Sequence, residues 1–154
     1  TANCVFCHRA WVRMIKGSSA EDHAHYDQPA RRTAKRFWKA NGYECYDHEN
    51  EYDVDLVVKG KGRNFFCEPE VKTGWHGLKF PFETLHIPIR KAKFLDRPTV
   101  FIVFNSSLHR GAVVSRQYLK SAPRKKVPNN RVPTGELFFD IPVDQVKFFS
   151  FLGV

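Results

Sequence analysis

At 154 residues with 42% hydrophobic content and fourteen Phe, the chain has the size of one domain with a sizeable core, and its composition excludes global disorder. Twenty-five Lys and Arg against sixteen Asp and Glu leave a formal charge of +9, which favours a polyanionic partner such as nucleic acid. No apolar run approaches the roughly 20 residues of a membrane span, and the opening TANCVFCHRAW lacks a basic start followed by a long apolar stretch. Four cysteines are too sparse for a disulfide scaffold, so a cytoplasmic location with reduced thiols and no membrane partner is expected.

In chain order, residues 1–25 form a candidate N-terminal appendage carrying unusual Cys and His chemistry, and residues 26–154 the main domain. Cys4 and Cys7 stand at knuckle spacing, with His23 and His25 as the second half of a candidate structural Zn²⁺ site. The alternative is two free thiols and solvated histidines. A helix follows, with Asp27 as N-cap, Pro29 in its first turn, Ala34, Phe37 and Trp38 at helical spacing, and Asn41-Gly42 as the stop. Arg31, Arg32, Lys35, Arg36 and Lys39 make its other face basic.

YECYDH reads as a short strand and EYDVDLVV as a second, with Val54, Leu56 and Val58 on one face. KGKGR is a glycine turn that returns NFFCEPEVK antiparallel as a third. Beyond it, IPIRKAKFLD suggests a short helix entered through Pro88, and TVFIVFN a central strand. AVVSRQYLKSA passes from strand into helix, PRKKVPNNRVPTG is a basic proline-rich loop, and ELFFDIPVDQVKFF ends strand-like around a turn at Pro142 and Asp144. The expected class is mixed α and β, a central mixed sheet with flanking helices.

Alternation gives the third strand its interest, because Glu68, Glu70 and Lys72 point one way and Cys67, Pro69 and Val71 the other. Asp53 and Asp55 share a face on the neighbouring strand. Acids crowded together within apolar strands repel one another unless a cation intervenes. Hard carboxylate oxygens with no His or Cys among them suit Mg²⁺, with Mn²⁺ as a substitute. The competing reading is a solvated sheet face.

The string DVDLVV, a glycine turn, then EPEVK resembles the PD-(D/E)XK nuclease superfamily, whose fold is restriction-endonuclease-like. The likeness runs loosely from residue 27 to 105, although Val54 stands where the family name has proline. It implies that Asp55, Glu70 and Lys72 are catalytic, that Asp55 and Glu70 ligate Mg²⁺ with the carbonyl of Val71 as a third donor, and that Lys72 orients or activates the attacking water. The hairpin register leaves open whether Asp53 or Asp55 meets Glu70; Asp55 is preferred, with Asp53 and Glu68 in supporting positions. The activity implied is hydrolysis of phosphodiesters, as a DNA endonuclease. A ribonuclease of the same fold and a non-catalytic, zinc-stabilised nucleic-acid-binding module are the alternatives.

For nucleic-acid contact the candidates are Trp75 and His76 in TGWHGLKF, Arg124, Lys125, Lys126 and Arg131 in the basic loop, and Arg32 and Lys35 on the helix. For Trp75 a core anchor competes on even terms. One set of Asp55, Glu70 and Lys72 nicks one strand, so simultaneous cutting of both implies a twofold homodimer. VKFFSFLGV is its candidate interface, or else a core strand.

Overall fold

The computed structural model describes residues 20–50, 53–128 and 132–150, with side chains in the first helix described from residue 28 onward. Helix α1 (Ala20–Ala40) precedes three strands, β1 (Glu44–Asp47), β2 (Leu56–Gly60) and β3 (Arg63–Val71). Then come β4 (Thr84–Pro88), a 3₁₀ helix (Ile89–Phe94), β5 (Thr99–Phe104), β6 (Arg110–Ser115) and α2 (Arg116–Ser121). Strands β7 (Arg124–Val127), β8 (Glu136–Pro142) and β9 (Lys147–Ser150) complete the described chain, with a short 3₁₀ turn at Val143–Gln145. The expected mixed class holds: a six-stranded sheet, ordered β1-β2-β3-β5-β6-β9, lies with a three-stranded sheet ordered β4-β8-β7.

All neighbours in the large sheet are antiparallel except β3 and β5, which run parallel. Residues 72–98 make the crossover that parallel pairing requires, and they carry β4 and the 3₁₀ helix. β5 is central because both its faces are covered: Ile102 and Phe104 pack toward α1, Phe101 and Val103 toward the small sheet. Ala30, Ala34 and Trp38 recur every four residues along α1 and are buried, which fixes the helix face laid on the sheet. Among the described residues, no helix is long and apolar enough to cross a membrane.

Several local expectations are corrected. α1 begins at Ala20, so Asp27 is not its N-cap and Pro29 lies inside it. Ala20 and Ala24 are strong helix formers, and Glu21 and Asp22 suit a helix N-terminus, which extends the helix ahead of the proline. Val54 does not share a face with Leu56 and Val58; it precedes β2 and packs in the opposite core layer. The stretch expected as a basic loop is partly strand, because Arg124–Val127 pairs with β8. That second sheet was not anticipated, because β4 pairs with β8, a strand that begins more than forty residues further along the chain.

Candidate functional site

The register of the β2–β3 hairpin decides which acids meet. Lys61 (φ 52°) and Gly62 (φ 73°) form a two-residue turn with both backbone angles left-handed, a geometry that matches the twist of the strands it joins. Gly60 pairs with Arg63 and Leu56 with Cys67, so Asp55 falls opposite Glu68. The Asp55 backbone N–H donates to Glu68 Oε2 at 3.2 Å. The expected partner Glu70 stands two residues, about 7 Å, further along the strand. Asp53 is drawn away as well: Arg97 Nη1 donates to its Oδ1 at 2.6 Å.

Alternation carries Glu68 away from α1, whereas Cys67 packs against that helix. Glu68 is 3% exposed, lying on the sheet face that also bears Phe101 and Val103. A carboxylate in such a place has a high affinity for protons. Burial first, and then the charge of Asp55, push the Glu68 pKa well above the ordinary carboxylate range, against the pull of Lys91.

Lys91 comes from the 3₁₀ helix of the crossover, with its ammonium 3.5 Å from Glu68 Oε1. Burial opposes its charge, but Glu68, Asp55 and Glu70 together outweigh burial and hold its pKa above the ordinary lysine value. Arg90, its neighbour, ties that helix to β8 through Glu136 at 2.8 Å, which helps to fix where Lys91 stands. On the other side, α1 sends Arg31 Nη2 to within 3.3 Å of Asp55 Oδ1.

Lys72 follows the end of β3, and its backbone N–H extends the ladder to β5 by donating to Phe104 O at 2.9 Å. Burial lowers its pKa, with Glu70 acting in the opposite sense. A lysine displaced downward in this way is closer to exchanging protons at working pH than an exposed one. His86 on β4 lies within the electrostatic reach of Lys72 and is hydrogen-bonded to Asp140 at 2.8 Å. Burial lowers the His86 pKa, aided by Lys72 and Lys125 and opposed by Asp140.

Three carboxyl groups and two ammoniums are thus gathered where the hairpin, the end of β3 and the crossover meet. All three carboxylates act on Lys91, and Glu70 acts on Lys72 as well. Among the described residues, no group of three or more His, Cys, Asp or Glu side chains stands close enough together to hold a metal ion. The donor chemistry nonetheless fits a hard cation, since two carboxyl groups in contact, one of them buried, are what a divalent ion relieves. Val71 is the last residue of β3, opposite Phe104, beside both Glu70 and Lys72.

The nucleic-acid candidates separate. Trp75 is fully buried, packed edge-on against Phe80 and Phe148, and its assignment as a base-stacking residue is corrected to core anchor. The reason lies in its size: a two-ring apolar surface here finds a complete apolar shell. His76 is exposed. Arg124, Lys125 and Lys126 are exposed along β7, Arg32 is exposed on α1, and Lys35 is engaged by Asp47 at 2.9 Å. Arg131, Cys4 and Cys7 lie outside the described residues, as do the side chains of His23 and His25. Sequence reasoning missed Lys91 and Arg31, which approach the acids from elements 23 and 24 residues away. The signal for Lys91 was its place between Ile89 and Phe94 in the segment HIPIRKAKF. No family model matches this chain, and no curated protein sequence matches it.

Proposed function

We propose that the protein is a metal-dependent nuclease that hydrolyses phosphodiester bonds, acting on DNA as an endonuclease, with Mg²⁺ as its ion and Mn²⁺ as a substitute. The observation that carries this reading is the contact of Asp55 with the buried Glu68 across the β2–β3 hairpin, flanked by Lys91 and followed along the same strand by Glu70 and Lys72. A protein that only binds a polyanion gains nothing from carboxylates aimed toward it. The order of elements adds support: a basic helix before the β2–β3 hairpin and an apolar strand, β5, after it follow the order of the superfamily that the sequence resembles.

Asp55 and Glu68, in contact across the hairpin, are the residues that would hold the cation, with Glu70 next along the same face of β3. When bound, it stabilises charge developing on the phosphoryl oxygens and lowers the pKa of a coordinated water. Arg31 fixes the orientation of Asp55 through their ion pair. Lys91 offsets part of the charge that gathers on Glu68, against the burial and the neighbouring Asp55 that favour its protonated form. Lys72, with its lowered pKa, sits at the strand end and presents a point charge, or a proton acceptor, to the attacking water. Arg124, Lys125 and Lys126, exposed on β7, supply phosphate contacts that are independent of sequence. Each chain brings one such set of acids, so cutting both strands at once calls for a second copy.

Cleavage of supercoiled plasmid and of DNA and RNA oligonucleotides, with Mg²⁺, with EDTA and with Lys72→Ala, tests the proposal. Magnesium-dependent DNA cleavage that Lys72→Ala lacks is expected. Tight binding without cleavage under any condition would leave a nucleic-acid-binding module, and cleavage of RNA alone a ribonuclease.

A further inference from the structure

We infer that the substrate presents an unpaired base beside the scissile phosphate, and that Phe82 is the surface on which this base stacks. The inference rests on the nuclease reading, in which Lys72 stands at the phosphate. Phe82 is 43% exposed, unusual for so large an apolar ring, and the Lys72 ammonium lies 5.4 Å from its centroid. One ring thus borders the candidate reaction centre and opens to solvent.

The ring is also held still. Phe80 packs edge-on against it with centroids 5.5 Å apart, and Phe80 in turn meets the fully buried Trp75 at 5.1 Å and Phe148 at 5.5 Å. Trp75 therefore serves as the root of an aromatic ladder whose outer rung is Phe82. The loop that carries this ladder is pinned at two points: Ser106 N–H donates to Trp75 O at 2.8 Å, and Asn105 Nδ2 donates to Gly77 O at 3.0 Å. Gly74 lies against the ring, where an added Cβ would stand 3.4 Å from Phe82 Cζ. A rigid exposed ring stacks a base without paying the entropy of ordering itself.

The surroundings match a nucleotide. Lys72 lies on one side, His76 and Lys79 are exposed on the same loop, and the chain as a whole carries a charge of +9. A base in an intact duplex offers no free face, whereas one in a single strand, a flap or a gap does. Phe82 thus selects for unpaired substrate.

The test uses the whole chain without divalent ion, so that binding is read without cleavage. Matched oligonucleotides, single-stranded, flapped or fully paired, carry a fluorescent adenine analogue whose emission stacking quenches. Wild-type protein is expected to quench the analogue in unpaired positions and to bind those substrates more tightly than duplex. Phe82→Ala should lose the quench and about tenfold in affinity for unpaired substrate, the lower range of base–aromatic stacking. Phe82→Tyr, which keeps the ring, should retain both. Equal loss on paired and unpaired substrates, or unchanged quenching in Phe82→Ala, would overturn the stacking role and leave Phe82 as a support for Lys72. Failure of the nuclease reading shows separately, as absence of cleavage when Mg²⁺ or Mn²⁺ is added.

Discussion

The two faces of the large sheet are built from the same strands and do opposite things. Toward α1, Leu56, Val58, Cys67, Ile102 and Phe104 are each fully buried against Ala30, Ala34 and Trp38, and among the described residues this cluster holds no buried charged side chain. Toward the crossover, Phe101 and Val103 share their face with Glu68, next to Lys91 and near Asp55. A single step along β3, from Cys67 to Glu68, crosses from one regime to the other. Burying a carboxylate costs more than burying a thiol, so the second face sacrifices stability that the first face retains. Such a sacrifice, with Lys72 at the end of the same strand held below the ordinary lysine value by burial, is what the proposed catalytic role would ask of this face.

The sharpest way to break this contrast is to disable each face in turn. Asp55→Asn should reduce phosphodiester cleavage by about a hundred- to a thousandfold, the range seen when one group stabilising transition-state charge is removed, while thermal stability changes little. Ile102→Ala should do the reverse, lowering stability by about 2–5 kcal/mol while the activity of the folded fraction persists. Steady-state cleavage and denaturant titration on both variants read the two effects side by side. Comparable losses of activity in both would erase the distinction.

Ion binding offers a gentler probe. At a hundredfold excess over its Kd, Mg²⁺ should stabilise the protein by about 2.7 kcal/mol, which corresponds to a rise in Tm of roughly 5–10 °C for a chain of this size. The shift should vanish in Asp55→Asn and survive in Ile102→Ala.

The smallest effect concerns pH. Because the folded state raises the Glu68 pKa, it binds a proton that the unfolded chain has already released. Stability from this group is complete below the ordinary carboxylate range and is lost as pH rises through the raised value. Glu68→Gln should therefore flatten the fall in Tm between those limits, and thermal melts across that window, without divalent ion, check it. The effect is modest because Lys91 already offsets part of the charge. An unchanged slope would mean that Glu68 is charged throughout.

Much of the fold was legible because it rests on local patterns. The glycine turn, the alternation of β3 and the apolar run of β5 each follow from a few neighbouring residues, and the structure has them where the pattern puts them. The small sheet was not legible, since β4 reads like any short apolar run until β8 arrives to pair with it. The acids of the site were visible as a set, but the pairing of Asp55 with Glu68 depended on turn length to the residue. Trp75 illustrates the limit most clearly. Between two glycines and a histidine it invites a surface role, yet Phe80 and Phe148, distant in sequence from one another, close over it. Phe82, embedded in KFPFETL, gave no comparable signal.

The most direct measurement of the central claim is a titration of Mn²⁺ into the whole chain, followed by electron paramagnetic resonance and by calorimetry. A site formed by the hairpin acids predicts saturable uptake of the ion, with protons released at low pH as the acids give them up, and predicts that Asp55→Asn loses this uptake while remaining folded. Wild-type protein that takes up no Mn²⁺, or an Asp55→Asn variant that takes it up unchanged, would contradict the assignment of this face as a metal-dependent catalytic site.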